Sequence, residues 1–408
     1  RPPITPRPMR RTRMQRVCRS AAGVLRVRRM GRGVIGGRGC LATSDGSRYN
    51  GRVTASIPSG AMLRLPPIVL GAMWRSLPGA EGARARLVHE AIDLGLTAID
   101  TAPLYEFGRI EEELGRALRG RRDRVMLLTK VGLRWDGDHG EPLFAAEIEG
   151  RRRVVRRDSR PVAVRKDVEA SLRRLQTDVI DLIQVHHYDD RTPVSDTIGE
   201  LLRLREEGKV RSLGVSNYPA AALREAIVAA QGRGGLATTQ EHYSLLERRI
   251  ESEVLGLARA KGVGVLAFSA LEAGVLAGRG LADARAVEDR APMGHPKNLR
   301  RINEALRGTA LPMAAEKGVG LPELALAWVL AADGVQAAIA GASSSEQLEA
   351  LARVPEIRLA SEERARLGDV FARLELDPHP GVPWRMRAEA FFRRRVAGLR
   401  RRLAPRRR

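Results

Sequence analysis

From residue 52 onward, short apolar runs alternate with stretches in which apolar residues recur every three or four positions. The runs are "PIVLG" (67–71), "TAID" (97–100), "VMLLT" (125–129), "VIDLIQV" (179–185), "RSLGV" (211–215), "LATTQ" (236–240), "VGVLAF" (263–268) and "QAAIAG" (336–341). Between them lie amphipathic segments such as "GARARLVHEAIDLGL", "VRKDVEASLRRLQ", "DTIGELLRLREEGK" and "ERRIESEVLGLARAKG". Several end in Gly after a basic residue, a usual helix stop. Parallel strands covered on both faces read as continuous apolar runs, so the alternation predicts eight βα units. Eight units in about 300 residues favour an α/β protein of the closed (β/α)8 TIM-barrel type over an open sheet.

Features outside the repeat complete the layout. "RVTASIP-SG-AMLRLP" reads as an N-terminal hairpin turning at Pro58-Ser59-Gly60. "SEERARLGDVFARLE" reads as a C-terminal helix after the eighth unit, placed to close over an end of the barrel. Two longer segments, roughly 131–161 after the third strand and 275–298 after the seventh, read as functional or mobile loops. The barrel is therefore expected over residues 52–375, between Arg-rich segments at 1–51 and 376–408.

Composition changes this picture mainly at the ends. Hydrophobic residues make up 43% of the 408 and aromatics 4%, so the core is built of Leu, Val, Ala and Ile. The formal charge of +23 suggests nucleic acid until it is located. Residues 1–60 carry +13 and residues 385–408 carry +10, which leaves 61–384 neutral. Such arms can bind phosphate backbones or anionic lipid heads without sequence preference. With six Lys against 65 Arg in the chain, residues 1–51 read instead as a disordered or non-native extension, or as a segment resembling a transit peptide. No specific nucleic-acid partner is expected.

Both cysteines, Cys18 and Cys40, lie in that arm, so the barrel has no thiol for a disulfide, a nucleophile or a zinc site. No metal site is expected. No apolar run reaches the ~18 residues of a membrane span, and a soluble, cytoplasmic protein is expected. "GRGVIG" (Gly31 to Gly36) fits the dinucleotide pattern G-x-G-x-x-G, but no helical periodicity follows it and no acid stands about twenty residues on. It carries no weight.

Barrel enzymes place reactive groups at the C-terminal ends of their strands, so the candidate chemistry is expected there. Asp100 ends the second run and Tyr105 follows it; Lys130 ends the third; His186 ends the fourth, in "VIDLIQVHHYDD". Neighbours on a strand point to opposite faces, so His186 and His187 are expected to have different roles. The four residues suit carbonyl reduction. Charge builds on the carbonyl oxygen, a phenol with a reference pKa of about 10 is a weak donor, and a nearby ammonium lowers that pKa. Asp100 would balance Lys130, and His186 would hold the oxygen.

With these residues in place, the chain resembles the aldo/keto reductases over roughly residues 52–375. The motifs are "AIDLGLTAIDTAPLYEFGRIEEELGRAL", "LLTKVG", "VRKDVEASLRRLQTDVIDLIQVHH", "GKVRSLGVSN", "TTQEHYSLLERRIE", "GVGVLAFSALEAGVLAGR" and "IAGASSSEQLEALA". Through "DSRPVAVRKDVEASLRRLQTD" it is most similar to the bacterial inositol-catabolism and general-stress branch. The resemblance implies the tetrad Asp100, Tyr105, Lys130 and His186. It also implies that Ser216, Asn217 and Gln240 hold a nicotinamide carboxamide and that Tyr243 stacks on its ring. Ser269, Leu271, Gly274 and Leu276 would cradle the pyrophosphate, and Gly341, Ser343 and Gln347 the adenosine phosphate.

Two positions depart from many relatives: Ser343 stands where an arginine grips the NADP(H) 2′-phosphate, and Leu351 where an asparagine meets the adenine. NADP(H) is the favoured cofactor and NAD(H) the alternative. Trp74, Trp135, His187 and Tyr188 are expected to wall the substrate pocket; relatives usually carry Trp-Pro at the last two positions. The leading function is an oxidoreductase acting on an aldehyde or ketone, or in reverse on an alcohol or sugar, with Tyr105 as general acid/base. The alternatives are a nicotinamide-binding redox-sensing or regulatory module and an NAD-dependent sugar or polyol dehydrogenase. The oligomeric state is not readable from the sequence.

Overall fold

The structure, a computed structural model, describes residues 63–74, 82–288 and 292–378. The expected N-terminal hairpin and both Arg-rich tails lie almost wholly outside the described residues.

Each of the eight apolar runs forms a strand. β1 (Ile68–Gly71), β2 (Ala98–Asp100) and β3 (Met126–Val131) are followed by a separate small sheet of β4 (Leu133–Arg134), β5 (Glu141–Ile148) and β6 (Arg151–Arg157). The series resumes with β7 (Ile180–Val185), β8 (Val210–Ser216), β9 (Thr238–His242), β10 (Gly264–Phe268) and β11 (Val335–Ala340). Around the barrel the order is β1-β2-β3-β7-β8-β9-β10-β11, and β11 returns to β1 in parallel register, with Ile68 beside Ala338. Closure leaves no barrel strand with an unpaired edge.

Alternation along the strands divides the core in two. One face of most strands, including Ile68, Leu70, Ile99, Leu127, Ile183 and Val265, joins the large apolar cluster shared with the surrounding helices. The other face supplies Val69, Ala98, Leu128, Leu182 and Leu266 to a small inner cluster, which Leu63 and Leu65 join just before β1. Full burial of one such side chain is worth about 1.5–3 kcal/mol. Two residues further along that inward face stand Asp100, Lys130, Gln184 and Phe268. Sequence parity thus converts an apolar barrel floor into a polar, aromatic mouth.

Among the described residues, both long segments hold regular secondary structure. The segment at 131–161 is an antiparallel sheet, order β4-β6-β5, in which Glu141 stands opposite Arg157 and Glu147 opposite Arg152. Its charges hid the strand pattern, but they pair across strands, as in Arg157–Glu141 at 2.7 Å. Its first turn is clamped to the helix Pro161–Leu175: Gly132 N–H and Arg134 both donate to Asp167. Burial pushes the Asp167 carboxyl up to about 7, although Arg134 opposes this. The described part of 275–298 holds short helical turns at Arg279–Ala282 and Ala284–Val287.

The C-terminal helix, Ser361–Ala372, is present but does not plug the barrel. It packs on the outer helices, where Trp328 Nε1 donates to Arg364 O at 3.0 Å and Arg248 to Gly368 O at 3.0 Å. Among the described residues, no helix is long and apolar enough to cross a membrane.

Inside the barrel, a Cβ on Gly214 would overlap Thr238 Oγ1 and come within 3.0 Å of both Gln184 Cγ and Thr238 O. Gly214→Ala should therefore destabilise the fold by about 1–3 kcal/mol or more. Gly256→Ala, in a helix with open space around it, should be neutral or stabilising. Thermal melts of the two variants check this, and equal melting temperatures would contradict the packing described.

Candidate active site

Lys130 is 1% exposed and Asp100 2% exposed, so their charges must satisfy one another. Lys130 Nζ donates to Asp100 Oδ2 at 2.6 Å and to Thr101 O at 3.0 Å. Its nitrogen stands 5.4 Å from the centre of the Tyr105 ring. The Tyr105 ring meets the His186 ring edge-on, with centres 6.4 Å apart. The structure thus brings together all four residues singled out at the strand ends.

Their electrostatics are set by burial. Desolvation, the largest effect, would lower the Lys130 ammonium, but Asp100 and then Tyr105 together outweigh it and hold the group above its ordinary value. Tyr105 departs from the simplest expectation. Burial pushes its phenol above the ordinary value, and the lowering by Lys130 only partly offsets this. Tyr105 is therefore a protonated phenol at neutral pH. His186 goes the other way: burial, then the nearby Lys130 charge, hold it well below the usual imidazole value, so its ring is neutral.

Tyr105 is carried on a strained turn. Glu106 and Phe107 take left-handed conformations, φ 47° and 53°, each costing about 1–3 kcal/mol. Arg84 answers part of this strain, pairing with Glu106 at 2.6 Å and Glu113 at 2.9 Å. A further support was not foreseen in the sequence. Gln240 Nε2 donates to Asp100 Oδ1 at 3.0 Å and to Gln184 Oε1 at 3.1 Å. Gln184, fully buried on β7, thereby helps to orient the carboxylate; its inward parity with Leu182 was the available signal.

The two histidines do not divide as the strand rule suggested. β7 ends at Val185, so His186 and His187 lie beyond the alternating backbone, and their rings stack with centres 5.3 Å apart. Burial, then Arg157, lower the His187 imidazole. Tyr188 sits against Tyr218 and its carbonyl accepts from Arg157 at 3.2 Å. Trp135 packs on Phe107, ring centres 5.4 Å apart, and lines a cleft with Asp167 and Lys166 outside the barrel mouth. Trp74 is buried, and its indole N–H has no hydrogen-bond partner.

At the cofactor positions, Ser216 and Asn217 end β8, where Asn217 turns left-handed (φ 57°). The Asn217 amide donates to His186 O and Ser216 Oγ, each at 3.0 Å, and so also fixes the histidine backbone. Tyr243 is a correction: it has no exposed surface, its hydroxyl donates to Glu251 at 2.7 Å, and its ring lies on Trp328. β9 runs two residues past the expected end, to His242, so Gln240 and His242 face inward and Tyr243 faces the helices. The aromatic at the mouth is Phe268, half-buried at the end of β10. Its place as the last residue of "VGVLAF" was the signal for it.

Ser269, Leu271, Gly274 and Leu276 form a tight turn after β10, with Ser269 at φ 54° and Gly274 at φ 101°. The amides of Ala270 and Leu271 donate to no turn carbonyl, and Thr101 Oγ1 is buried without a partner near the end of β2. Unpaired donors around one mouth suit a dinucleotide with an anionic linker. Farther out, Gly341 is exposed, and Ser343 N–H and Oγ both donate to Gln347 Oε1, at 2.8 and 3.1 Å. Leu351 is buried in the core.

Among the described residues, no group of His, Cys, Asp and Glu is placed to hold a metal ion.

Comparisons with known proteins agree with the barrel architecture. Residues 67–371 match the aldo/keto reductase family model. The chain is 33% identical over 314 residues to the aldo-keto reductase YhdN of Bacillus subtilis, covering 76% of this chain and 88% of that protein. It is 32% identical over 298 residues to the NADH-specific methylglyoxal reductase of Escherichia coli, covering 70% and 86%. Among solved structures, a glycerol dehydrogenase from Gluconobacter oxydans is 34% identical with a TM-score of 0.67, covering 80% of this chain and 97% of its own. An aldo/keto reductase from Klebsiella pneumoniae in complex with NADP and acetate is 30% identical with a TM-score of 0.57, covering 77% and 95%. With a parallel barrel, a buried lysine–aspartate pair at its mouth and a family match over most of its length, the chain belongs to the aldo/keto reductase family of NAD(P)H-dependent oxidoreductases.

Proposed function

We propose that this enzyme reduces aldehydes or ketones, with Tyr105 supplying the proton and His186 holding the carbonyl oxygen. The observation that carries the reading is the buried Asp100–Lys130 pair with the Tyr105 ring beside it. When bound, the reduced nicotinamide supplies the hydride. Negative charge then collects on the carbonyl oxygen, and Tyr105 meets it with its O–H. Lys130 stabilises the phenolate left behind, and Asp100 keeps Lys130 charged. The neutral His186 ring can donate a hydrogen bond to the same oxygen without surrendering its own proton. Phe268 is the aromatic shelf for the nicotinamide in this reading, in place of Tyr243, with Ser216, Asn217 and Gln240 around the carboxamide. The turn from Ser269 to Leu276 holds the pyrophosphate.

Small carbonyls or polyols suit the reading, since relatives with those named activities share the fold and a third or so of the sequence. NADP(H) is favoured by the family resemblance. Preference for NAD(H) is a second reading, supported by the donors of Ser343 being already engaged by Gln347 and by Glu346 and Glu349 in the helix that follows.

Tyr105→Phe should leave dinucleotide affinity close to that of the unaltered protein while lowering turnover by about 10³-fold or more. Fluorescence titration and steady-state assays over an aldehyde panel check this; an active variant would remove Tyr105 as proton donor. Tight dinucleotide binding by the unaltered protein, without turnover of any substrate, would instead favour a regulatory module.

His186→Ala should impair reduction far more than His187→Ala, and comparable losses would contradict the roles given to the pair.

Reduction requires the protonated phenol, and Tyr105 is held above its ordinary value. kcat/KM for reduction should therefore stay level from about pH 6 to about pH 9 and fall only at higher pH. A fall centred near neutrality would contradict this.

A further inference from the structure

His242 has no part in the chemistry above, yet it joins three elements at the barrel mouth. It is the last residue of β9 and stands in register with Phe268, the last residue of β10. The two rings stack, with centres 5.3 Å apart and planes 21° from parallel. Gln240 reaches inward to Asp100, so His242, two residues on, is on the same inward face. Its ring covers one side of the Phe268 shelf.

The imidazole Nε2 lies 2.8 Å from Glu272 Oε1, and Ser244 Oγ donates to that same oxygen at 2.6 Å. A carboxylate only accepts, so His242 is the donor in this contact. Glu272 is nearly buried, and it belongs to the turn that follows Phe268. In that turn Ser269, Glu272 and Ala273 are all left-handed without being glycine, at φ 54°, 47° and 51°. Such a run of disfavoured conformations persists only where neighbouring structure holds it. The side chain at its centre is tied back to β9 through His242 and Ser244.

We propose that His242 is a positioning residue: through Glu272 it fastens the strained Ser269–Gly274 turn, and by stacking it sets the Phe268 shelf, so that together they determine affinity for the nicotinamide dinucleotide. The proposal rests on the cofactor reading above. It adds that the two halves of the binding surface, an aromatic face and an anion-facing turn, are joined by one histidine–carboxylate contact. Loss of either partner should then loosen both halves.

The test is titration of the full chain with NADPH and with NADH, followed by protein fluorescence, together with melting curves without nucleotide. Glu272→Ala should weaken the better-bound dinucleotide about tenfold, the size of one lost charge-assisted hydrogen bond, and His242→Ala at least as much, since it also removes the ring stacked on Phe268. The double variant should bind no more weakly than His242→Ala alone, because removing the histidine already breaks the contact with Glu272. His242→Gln, which keeps a donor toward Glu272 but has no ring to lay on Phe268, should recover part of the affinity. Melting temperatures without nucleotide should stay close to that of the unaltered protein. Unchanged affinity in His242→Ala, additive losses in the double variant, or a melting temperature that falls in step with affinity would overturn the proposal. If the unaltered protein binds neither dinucleotide, the cofactor reading itself fails, a result distinct from these.

Discussion

A positive charge cannot stay buried in a protein interior without a partner, and in this barrel the buried charge is Lys130. Its ion pair with Asp100 spans neighbouring strands, β2 and β3, and both members are almost wholly removed from water. Breaking such a pair on one side costs about 3–5 kcal/mol, so the pair constrains the two strand ends as well as supplying a charge. Gln240 from β9 and Gln184 from β7 then orient the carboxylate from across the barrel. The polar mouth behaves as one connected network on an apolar floor. Tyr105 and His186 stand at its open side.

Around that fixed network several turns are strained. Left-handed residues follow Tyr105, end β8 at Asn217 and cluster after β10. Two of these turns are tied down by a carboxylate, Glu106 to Arg84 and Glu272 to His242. Asn217 uses its amide to hold the backbone of His186. The barrel thus presents these turns in definite shapes, which is what a preorganised site requires. Burial also sets the protonation states: a neutral imidazole and an intact phenol suit the delivery of a proton to a developing alkoxide.

Much of this was legible in the sequence because it depends on local pattern. Strands buried on both faces are mostly apolar, and seven of the eight barrel strands read so, β9 being polar throughout as "TTQEH"; the candidate residues lie where the runs end. What was not legible depends on partners distant in sequence. The Arg-rich strand "RRRVVRR" reads as a solvated loop until Glu141 is seen opposite Arg157. The roles of Gln184 and Glu272 exist only as contacts to other strands. The misplacement of Tyr243 has a simpler origin. β9 continues to His242, so the alternation that turns Gln240 and His242 inward carries Tyr243 outward to the helices, where a loop would have left its direction open. The histidine doublet failed for the opposite reason, since β7 stops at Val185 and alternation no longer applies to His186 and His187.

The central claim is that the Lys130 charge acts directly on the Tyr105 phenol. The most direct test is an ultraviolet difference titration of that phenol, isolated by subtracting Tyr105→Phe, in the unaltered chain and in Lys130→Met. The account predicts that loss of the ammonium moves ionisation of Tyr105 to still higher pH, because burial and Asp100 then act unopposed. An ionisation that stays where it was, or moves down, would contradict it.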